Sequence, residues 1–556
     1  MLTAVFRILA GGSAHRFAVP CLALVLSICP AMAQVGGGST PIPSFQELEA
    51  AGAIIGEIRI NNQNIFDLDN PKEDNALFRL ANKLHVRTRP ELLRRYLLFN
   101  SGEPLSMRLI EESERLLSGN HFLYDVHIRP VAYHDGVVDI EVATRDTWTL
   151  SPGIRFSRQG GSNSTGLTLT DYNLFGTGIS AGVSRLHDVD RTGKEFLISR
   201  NHVFGNWTTF EFRHATFDDG KRDILRLDRP FYALDSRWAA GVSASTDDRI
   251  DSIYSASNIL GQYRHKSESA EVYGGLSKGL VEGWAHRYSM GILYQNDAYR
   301  TDPLLPAPSQ VPTDLSLVAP FIRYELVEDN FEKVKNRDRI ERVEYFAMGF
   351  KSQLQLGRAM TSLGSTRDLW LYSASVSDGI ALARDHNVLA SAYTNGQYGS
   401  NGGEHQFAGA AAKYYQQQSQ RGLFFVSISA DTVMNGNAAD QLLLGGDNGL
   451  RGYPLRYQTG VHRALLSIEQ RAYTDWYPFR LFRVGGAVFY DRGRAWGGVN
   501  QNTANPGWLG DIGIGLRVLN DRSATARIFH IDLAFPLNSD PAIKSRQFLV
   551  KSKISF

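Results

Sequence analysis

Strand-like segments near the C-terminus carry apolar residues on one face and charges on the other, and this two-residue alternation limits the folds open to the chain. In Asp511 to Val518, Ile512, Ile514, Leu516 and Val518 share a face opposite Asp511, Gly513, Gly515 and Arg517. In Phe529 to Phe535, Phe529, Ile531, Leu533 and Phe535 oppose His530, Asp532 and Ala534. The last segment sets Phe548, Val550, Ile554 and Phe556 against Gln547, Lys551, Lys553 and Ser555, interrupted by Ser552. Side chains of a strand point alternately to its two faces. Charges on one face and hydrocarbon on the other suit a transmembrane antiparallel barrel, greasy outside and wet inside. The same pattern recurs from about Thr147 onward, in segments of about ten residues separated by Gly, Asn, Asp and Ser clusters. About 410 residues, at roughly 25 per strand and turn, predict about 16 strands, an even number as bacterial barrels require. A soluble sandwich or solenoid is the competing fold. Against it stand an aromatic final residue and the pair Trp476-Tyr477 beside a strand end, as in an interfacial girdle.

Composition agrees with a barrel. The chain has 52 Gly, 29 Phe, 23 Tyr and 8 Trp but only 7 Met. No run of 18 apolar residues follows the first 34, so no transmembrane helix is expected. Residues 1–33 read as a signal peptide: Arg7, His15 and Arg16 precede an apolar stretch from Ala18 to Ile28, and Ala31-Met32-Ala33 is an A-x-A cleavage site before Gln34. A lipoprotein site at Cys29 is the weaker alternative, since Ile28 is not small. Cys21 and Cys29 are the only cysteines, so the mature chain is expected to hold no disulfide, thiolate metal site or cysteine nucleophile. A net charge of +2 argues against a nucleic-acid partner.

Residues 34–53, with Gly36-Gly37-Gly38-Ser39, read as a flexible lead. Residues 54–146 read as a small α+β domain. Ile54 to Ile60 is a strand. Asp74 to Leu84 is a helix with Leu77, Leu80, Ala81 and Leu84 on one face. Thr88 and Glu91 match a capping box opening a second helix through Leu92, Leu93, Tyr96, Leu97 and Phe99, which Asn100-Ser101-Gly102 ends. Pro104 opens a third helix, stopped at Gly119-Asn120. Strands Phe122 to Val131 and Val137 to Ala143 follow around the turn His134-Asp135-Gly136, forming a ribbon expected to pair with the first strand and to offer an edge for β-augmentation. Residues 147–556 make up the barrel. Its seam should join a strand near Trp148 to Phe156 with the final strand, where Pro152 removes a ladder donor.

The segment Asn100-Ser101-Gly102-Glu103-Pro104-Leu105-Ser106, with Glu111 to Leu117 and Phe122-Leu123-Tyr124-Asp125-Val126, resembles a POTRA (polypeptide-transport-associated) domain. Asn173-Leu174-Phe175-Gly176-Thr177-Gly178 resembles the early-barrel N-L-x-G-x-G of the BamA/TamA (bacterial surface antigen) family. Gly446 with Leu450-Arg451-Gly452-Tyr453 resembles its V-R-G-[FY] loop, and Phe489-Tyr490-Asp491-Arg492-Gly493 its F-x-D-x-G strand. Val550 to Phe556 resembles a barrel-assembly signal. These motifs stand in family order over almost the whole mature chain. Leu450 replaces the usual Val, residues 74–99 carry an extra helix, and the single POTRA-like domain contrasts with several in BamA and TamA.

The resemblance implies that the loop of Arg451 folds back into the lumen, where the arginine pairs with Asp491. Phasing allows this: Val484, Gly486, Val488 and Tyr490 form the lipid-facing set, so Asp491 points inward, and Glu469, opposite Leu466 and Ile468, is a further luminal acid. On the residues alone, Arg451 in an exposed turn is the simpler expectation. The function implied is outer-membrane insertion or secretion of client polypeptides, with the POTRA-like domain in the periplasm. Expected partners are unfolded polypeptides, outer-membrane lipid and a periplasmic accessory protein. A passive pore or structural barrel is the alternative. No enzyme, cofactor or metal is expected. Gly178-Ile179-Ser180-Ala181-Gly182 matches G-x-S-x-G without the strand–turn–helix a nucleophile elbow needs, and the histidines are scattered.

Overall fold

The computed structural model describes residues 42–498, 507–538 and 543–553. The expected signal peptide, the start of the lead, and Ile554 and Phe556 lie outside them. Residues 43–553 fall into one compact unit, built from an α+β domain and a barrel.

The domain begins earlier than expected. Part of the stretch read as a flexible lead is helix α1 (Phe45–Ala50), whose N-cap Ser44 exchanges hydrogen bonds with Glu47 in a capping box and whose Leu48 is buried. Strand β1 (Ile54–Gln63) is followed by α2 (Ala76–Leu84), α3 (Pro90–Arg94), α4 (Met107–Ser118), β2 (Leu123–His134) and β3 (Val137–Asp146). The expected long second helix is cut to one turn. The Thr88 hydroxyl is engaged by Asn173 and does not cap, so Arg89 becomes the N-cap with no side-chain bond. Helix α4 starts at Met107, past the turn that Glu103 closes by accepting from Asn100. The sheet order is β1-β3-β2, with β1 parallel to β3. Strand β3 is therefore central, and the expected ribbon has its outer edge along β2, where Ile128 N donates to Glu114 Oε2 and Arg342 donates to the carbonyl oxygens of Leu123 and Tyr124. Ile55, Ile58, Val126, Val138, Ile140 and Val142 face Leu93, Tyr96, Ile110 and Leu117 across the core.

The barrel closes with 20 antiparallel strands, from Leu150–Gln159 to Gln547–Lys553, each paired with its chain neighbour and the first with the last. This corrects the expected count of about 16. Two-residue turns join Gln159 to Ser162, Ser255 to Asn258, Val281 to Trp284, Ala383 to His386, Gly399 to Gly402 and Ser419 to Gly422. Each strand with its turn therefore consumes less chain than the assumed length, and more strands fit.

Burial runs opposite to that of a soluble protein. Ile512, Ile514, Leu516 and Phe548 are exposed, whereas Asp491, Asp511 and Arg517 have no exposed surface at all. Charges that cannot remain in hydrocarbon turn inward and pair, while the apolar phase of the same strands makes an outer belt. The belt includes Leu167, Val272, Leu276, Met290, Ile322 and Val488.

Candidate functional site

Between strands Gly422–Met434 and His462–Tyr473 the chain makes a long loop at the barrel end away from the domain. A short ladder, Leu442–Leu444 against Gln458–Gly460, ties its base. The tip turns back into the lumen. Leu450 and Tyr453 are fully buried there, packed with Leu444, Ala495, Leu509 and Ile543. The Tyr453 hydroxyl lies 2.8 Å from the Gly510 carbonyl oxygen and 2.7 Å from Asn538 Oδ1.

Arg451 points into the strand wall. Its Nε and Nη2 donate to Asp491 Oδ2 and Oδ1 at 2.6 and 2.8 Å, a bidentate pair. Its Nη1 donates to Glu469 Oε1 at 2.8 Å and its Nη2 to Ser467 Oγ at 3.2 Å. The guanidinium carbon sits 3.4 Å from the centroid of the Phe489 ring, so the motif phenylalanine supplies a π face. Gly493 leaves room where an added Cβ would stand 3.1 Å from Leu444 Cδ2 and 3.2 Å from Leu465 Cδ1. Gly452 donates its N–H to Asp511 Oδ2 at 3.0 Å, and a Cβ there would lie 2.7 Å from that of Asp511. Asp491 and Asp511 are cross-strand neighbours. Consecutive loop residues thus read two adjacent carboxylates, one by guanidinium and one by backbone.

The loop also touches both strands of the seam. A Cβ on Gly446 would stand 2.6 Å from Gly160 N, in the turn after the first strand, and Lys551 Nζ of the last strand donates to Asp447 O at 3.4 Å. Among the described residues the seam has one registered pair, Val550 with Arg158. The preceding pairing of the last strand is continuous from Ile528–Lys553 to Ala534–Gln547. Phe548 of the expected assembly signal is exposed on the outer face, and Val550 is half-buried at the seam.

The early-barrel motif lies at the domain junction. Asn173 Nδ2 donates to Thr88 Oγ1 at 2.7 Å, and its Oδ1 accepts from Gly178 N at 2.6 Å. Arg89 N donates to Gly176 O at 3.1 Å. Gly176 is left-handed (φ +68°) with Arg87 O where a Cβ would stand, and Gly178 abuts Leu92. Glycine is needed because the domain backbone approaches the turn. On α4, Glu112 accepts from Leu234 N at 2.9 Å, in a domain-end turn, and Arg108 pairs with Asp235.

Sequence reasoning missed the segment 329–350. It leaves the barrel at the domain end, forms a hairpin (Phe331–Lys335 with Val343–Ala347), and enters the mouth. Ile340 is fully buried among Tyr415, Leu423, Phe425, Tyr473 and Leu519. On the domain side, Lys333 pairs with Glu114, Tyr345 Oη donates to Glu114 Oε1 at 2.7 Å, and Arg342 Nη2 donates to Tyr124 O at 3.0 Å. On the lumen side, Arg471 Nη1 donates to Arg337 O at 3.0 Å while its Nε donates to Glu469 Oε2 at 3.0 Å. The plug and the returning loop therefore share Glu469. The available signal was a dense charge run, Glu328 to Glu344, that breaks the alternation. Burial and the neighbouring Asp338 push the Glu344 carboxyl up to about 7, although backbone N–H groups of 337 and 338 donate to it.

Ser180 of the G-x-S-x-G stretch lies in a strand paired on both sides, with its hydroxyl donating to Tyr172 O at 3.1 Å. Among the described residues no group of three His, Cys, Asp or Glu is placed to hold a metal.

No family model matches the chain, and no curated protein matches it. Among solved structures it is similar to BamA from Haemophilus ducreyi lacking POTRA domains 1-3, at 13% identity and TM-score 0.36, covering 90% of this chain and 84% of that one. It is also similar to CdiB from Acinetobacter baumannii (10%, TM-score 0.41, 90% and 73% covered) and CdiB from Escherichia coli (11%, 0.45, 91% and 77%). The chain itself supplies a closed barrel with a greasy outer belt and a loop bound to its inner wall.

Proposed function

We propose that the chain is an outer-membrane machine that inserts or secretes client polypeptides, with its α+β domain, read as POTRA-like, in the periplasm. The observation that carries this reading is the loop tip bound inside the lumen by the bidentate Arg451–Asp491 pair. Burying that pair costs desolvation, so it marks a loop whose position is fixed. One that also touches Gly160 and Lys551 can report on, or release, the seam. Client strands would meet the outer edge of β2, beyond the backbone groups that Glu114 and Arg342 occupy, where backbone hydrogen bonds read little sequence, or the seam itself. No nucleotide-binding motif stands out in the sequence, so client folding supplies the driving force.

A passive pore fits less well, because Ile340 and its hairpin occupy the domain-end mouth. Depletion of the protein followed by outer-membrane and secreted-protein proteomics tests the proposal. Loss of one or a few barrels or exoproteins is the expected result. An unchanged protein profile, together with loss of a small-solute conductance, would replace it with the pore.

A further inference from the structure

Helix α2 turns its best apolar face outward. Leu77, Leu80 and Leu84, spaced i, i+3, i+7, are 64%, 51% and 65% exposed, and Val86 follows at 53%. The opposite side fixes the helix to the domain. Phe78 stacks on Phe66 with ring centroids 3.8 Å apart, and Asn82 exchanges hydrogen bonds with the Phe66 backbone. The apolar stripe is therefore displayed by a rigidly held helix. Lys72, Arg79, Lys83, Arg87 and Arg89 are exposed around it. The two acids of the stretch are taken: Asp74 pairs with Arg79, and Glu73 is buried with Arg522.

The stripe also has a neighbour that says what covers it. Leu77 and Ala81 share a cavity of about 320 Å³ with Leu150 and Pro152, which lie on the outer face at the domain end of the first barrel strand. Leu150 is 43% exposed in the outward phase, and Trp476 and Phe479 stand exposed on a turn at the same end. Leu77 and Ala81 of the helix thus stand beside Leu150 and Pro152 of the outer apolar face, in a cavity that Ser151, Asn520, Arg522 and Ser523 also line.

We infer that α2 is a membrane-surface helix whose Leu77, Leu80 and Leu84 enter the acyl region of an anionic phospholipid leaflet beside the seam. A short amphipathic helix with leucines on one side and Lys/Arg on the other lies in the interface plane, held by apolar burial and by attraction to anionic headgroups. It anchors the domain at a fixed height and occupies the leaflet where the first strand meets lipid. The inference rests on the barrel being lipid-embedded, as proposed above.

The test uses the full chain with Cys21 and Cys29 replaced by serine, reconstituted in vesicles containing phosphatidylglycerol. A polarity-sensitive fluorophore is attached to Leu80→Cys, Leu167→Cys on the barrel belt, or Arg129→Cys on the exposed side of β2. Lipid-borne nitroxide quenchers should cut emission at positions 80 and 167 about twofold and leave position 129 nearly unchanged, with position 80 quenched best by shallow labels. If position 167 is quenched and position 80 is not, the helix does not meet lipid and the inference fails. Protection of position 80 that depends on protein concentration and not on the lipid label would assign the face to a second copy, which also overturns it. An unquenched position 167 would remove the membrane reading itself.

Discussion

Replacing Arg451 by alanine should free the returning loop. The side chain makes two hydrogen bonds to Asp491, one to Glu469 and one to Ser467, and stacks on Phe489. Removing one partner of a buried ion pair costs about 3–5 kcal/mol, because the remaining charge is stranded. Here the cost falls at the lower end. Glu469 keeps Arg471 at 3.0 Å, so Asp491 is the group left exposed to the loss, with Ser467 still donating to it at 2.6 Å. A cost of about 3 kcal/mol is a factor of roughly 10² in the docked-to-undocked ratio. Cleavage of residues 435–461 by a broad-specificity protease, in the regime where the loop opens and closes faster than it is cut, should accelerate by that factor in the reconstituted barrel. Arg451→Lys keeps the charge without the fork and should fall between. Asp491→Ala should match Arg451→Ala, and both should impair client handling or heat-modifiable barrel maturation. Cleavage changed less than about fivefold in both variants, with wild-type activity, would refute the claim that the pair holds the loop.

Three further outcomes follow from other contacts. Gly176→Ala puts a methyl group against the Arg87 carbonyl at a left-handed position and should loosen the domain from the barrel, read as faster hydrogen exchange at residues 87–92; unchanged exchange would show the junction does not depend on that approach. Cysteines at Arg158 and Val550, the registered seam pair, should crosslink and, if the seam opens during work, abolish client insertion until reduced; full activity of the crosslinked form would exclude lateral opening. Glu344 has a folded pKa raised to about 7, so the docked plug binds more protons than the released one between about pH 4.5 and 7, and its hold weakens as pH rises through that window. Hydrogen exchange at residues 337–347 should speed up across it, and Glu344→Gln should flatten the dependence; a profile unchanged in Glu344→Gln would assign it elsewhere.

Much of this arrangement was legible because one rule governs it. A two-residue period sorted Asp491, Glu469, Asp511 and Arg517 to the lumen and Ile512, Ile514 and Phe548 to the outside, as burial in the structure does. Phasing gives direction without partners, however. Only the resembling loop motif pointed Arg451 at Asp491, and nothing local announced that Gly452 would take Asp511. Strand number was misjudged because turn length, not strand length, sets the residues consumed per crossing. The plug was missed because its hairpin is short and charge-rich, a composition that suits solvent, and only the long-range burial of Ile340 makes it internal. Thr88 misled for a related reason: its capping pattern is local, but the hydroxyl's partner, Asn173, lies 85 residues away.

Plug and loop are joined through a single carboxylate. Glu114 of α4 holds Lys333 and Tyr345; the same segment presents Arg337 O and Asp338 to Arg471; Arg471 and Arg451 then divide the two oxygens of Glu469. When the plug leaves, Arg471 loses its carbonyl acceptor and Asp338, and so turns more fully toward Glu469. The glutamate's attraction is finite, so its bond to Arg451 weakens and more of the arginine's hold falls on Asp491. Under the proposed function, a client that displaced the hairpin at the domain end would thereby loosen the loop that bridges the seam. Charged hydrogen bonds of this kind couple by about 1–3 kcal/mol between neighbours. Arg471→Met should therefore raise protease access to residues 329–350, which lose a partner, but lower it at residues 435–461, where Glu469 is left to Arg451; the lowering should vanish in the Arg451→Ala background, so the effects on the loop should not multiply. Simple multiplication would mean that the two closures act independently and that Glu469 carries no signal between them.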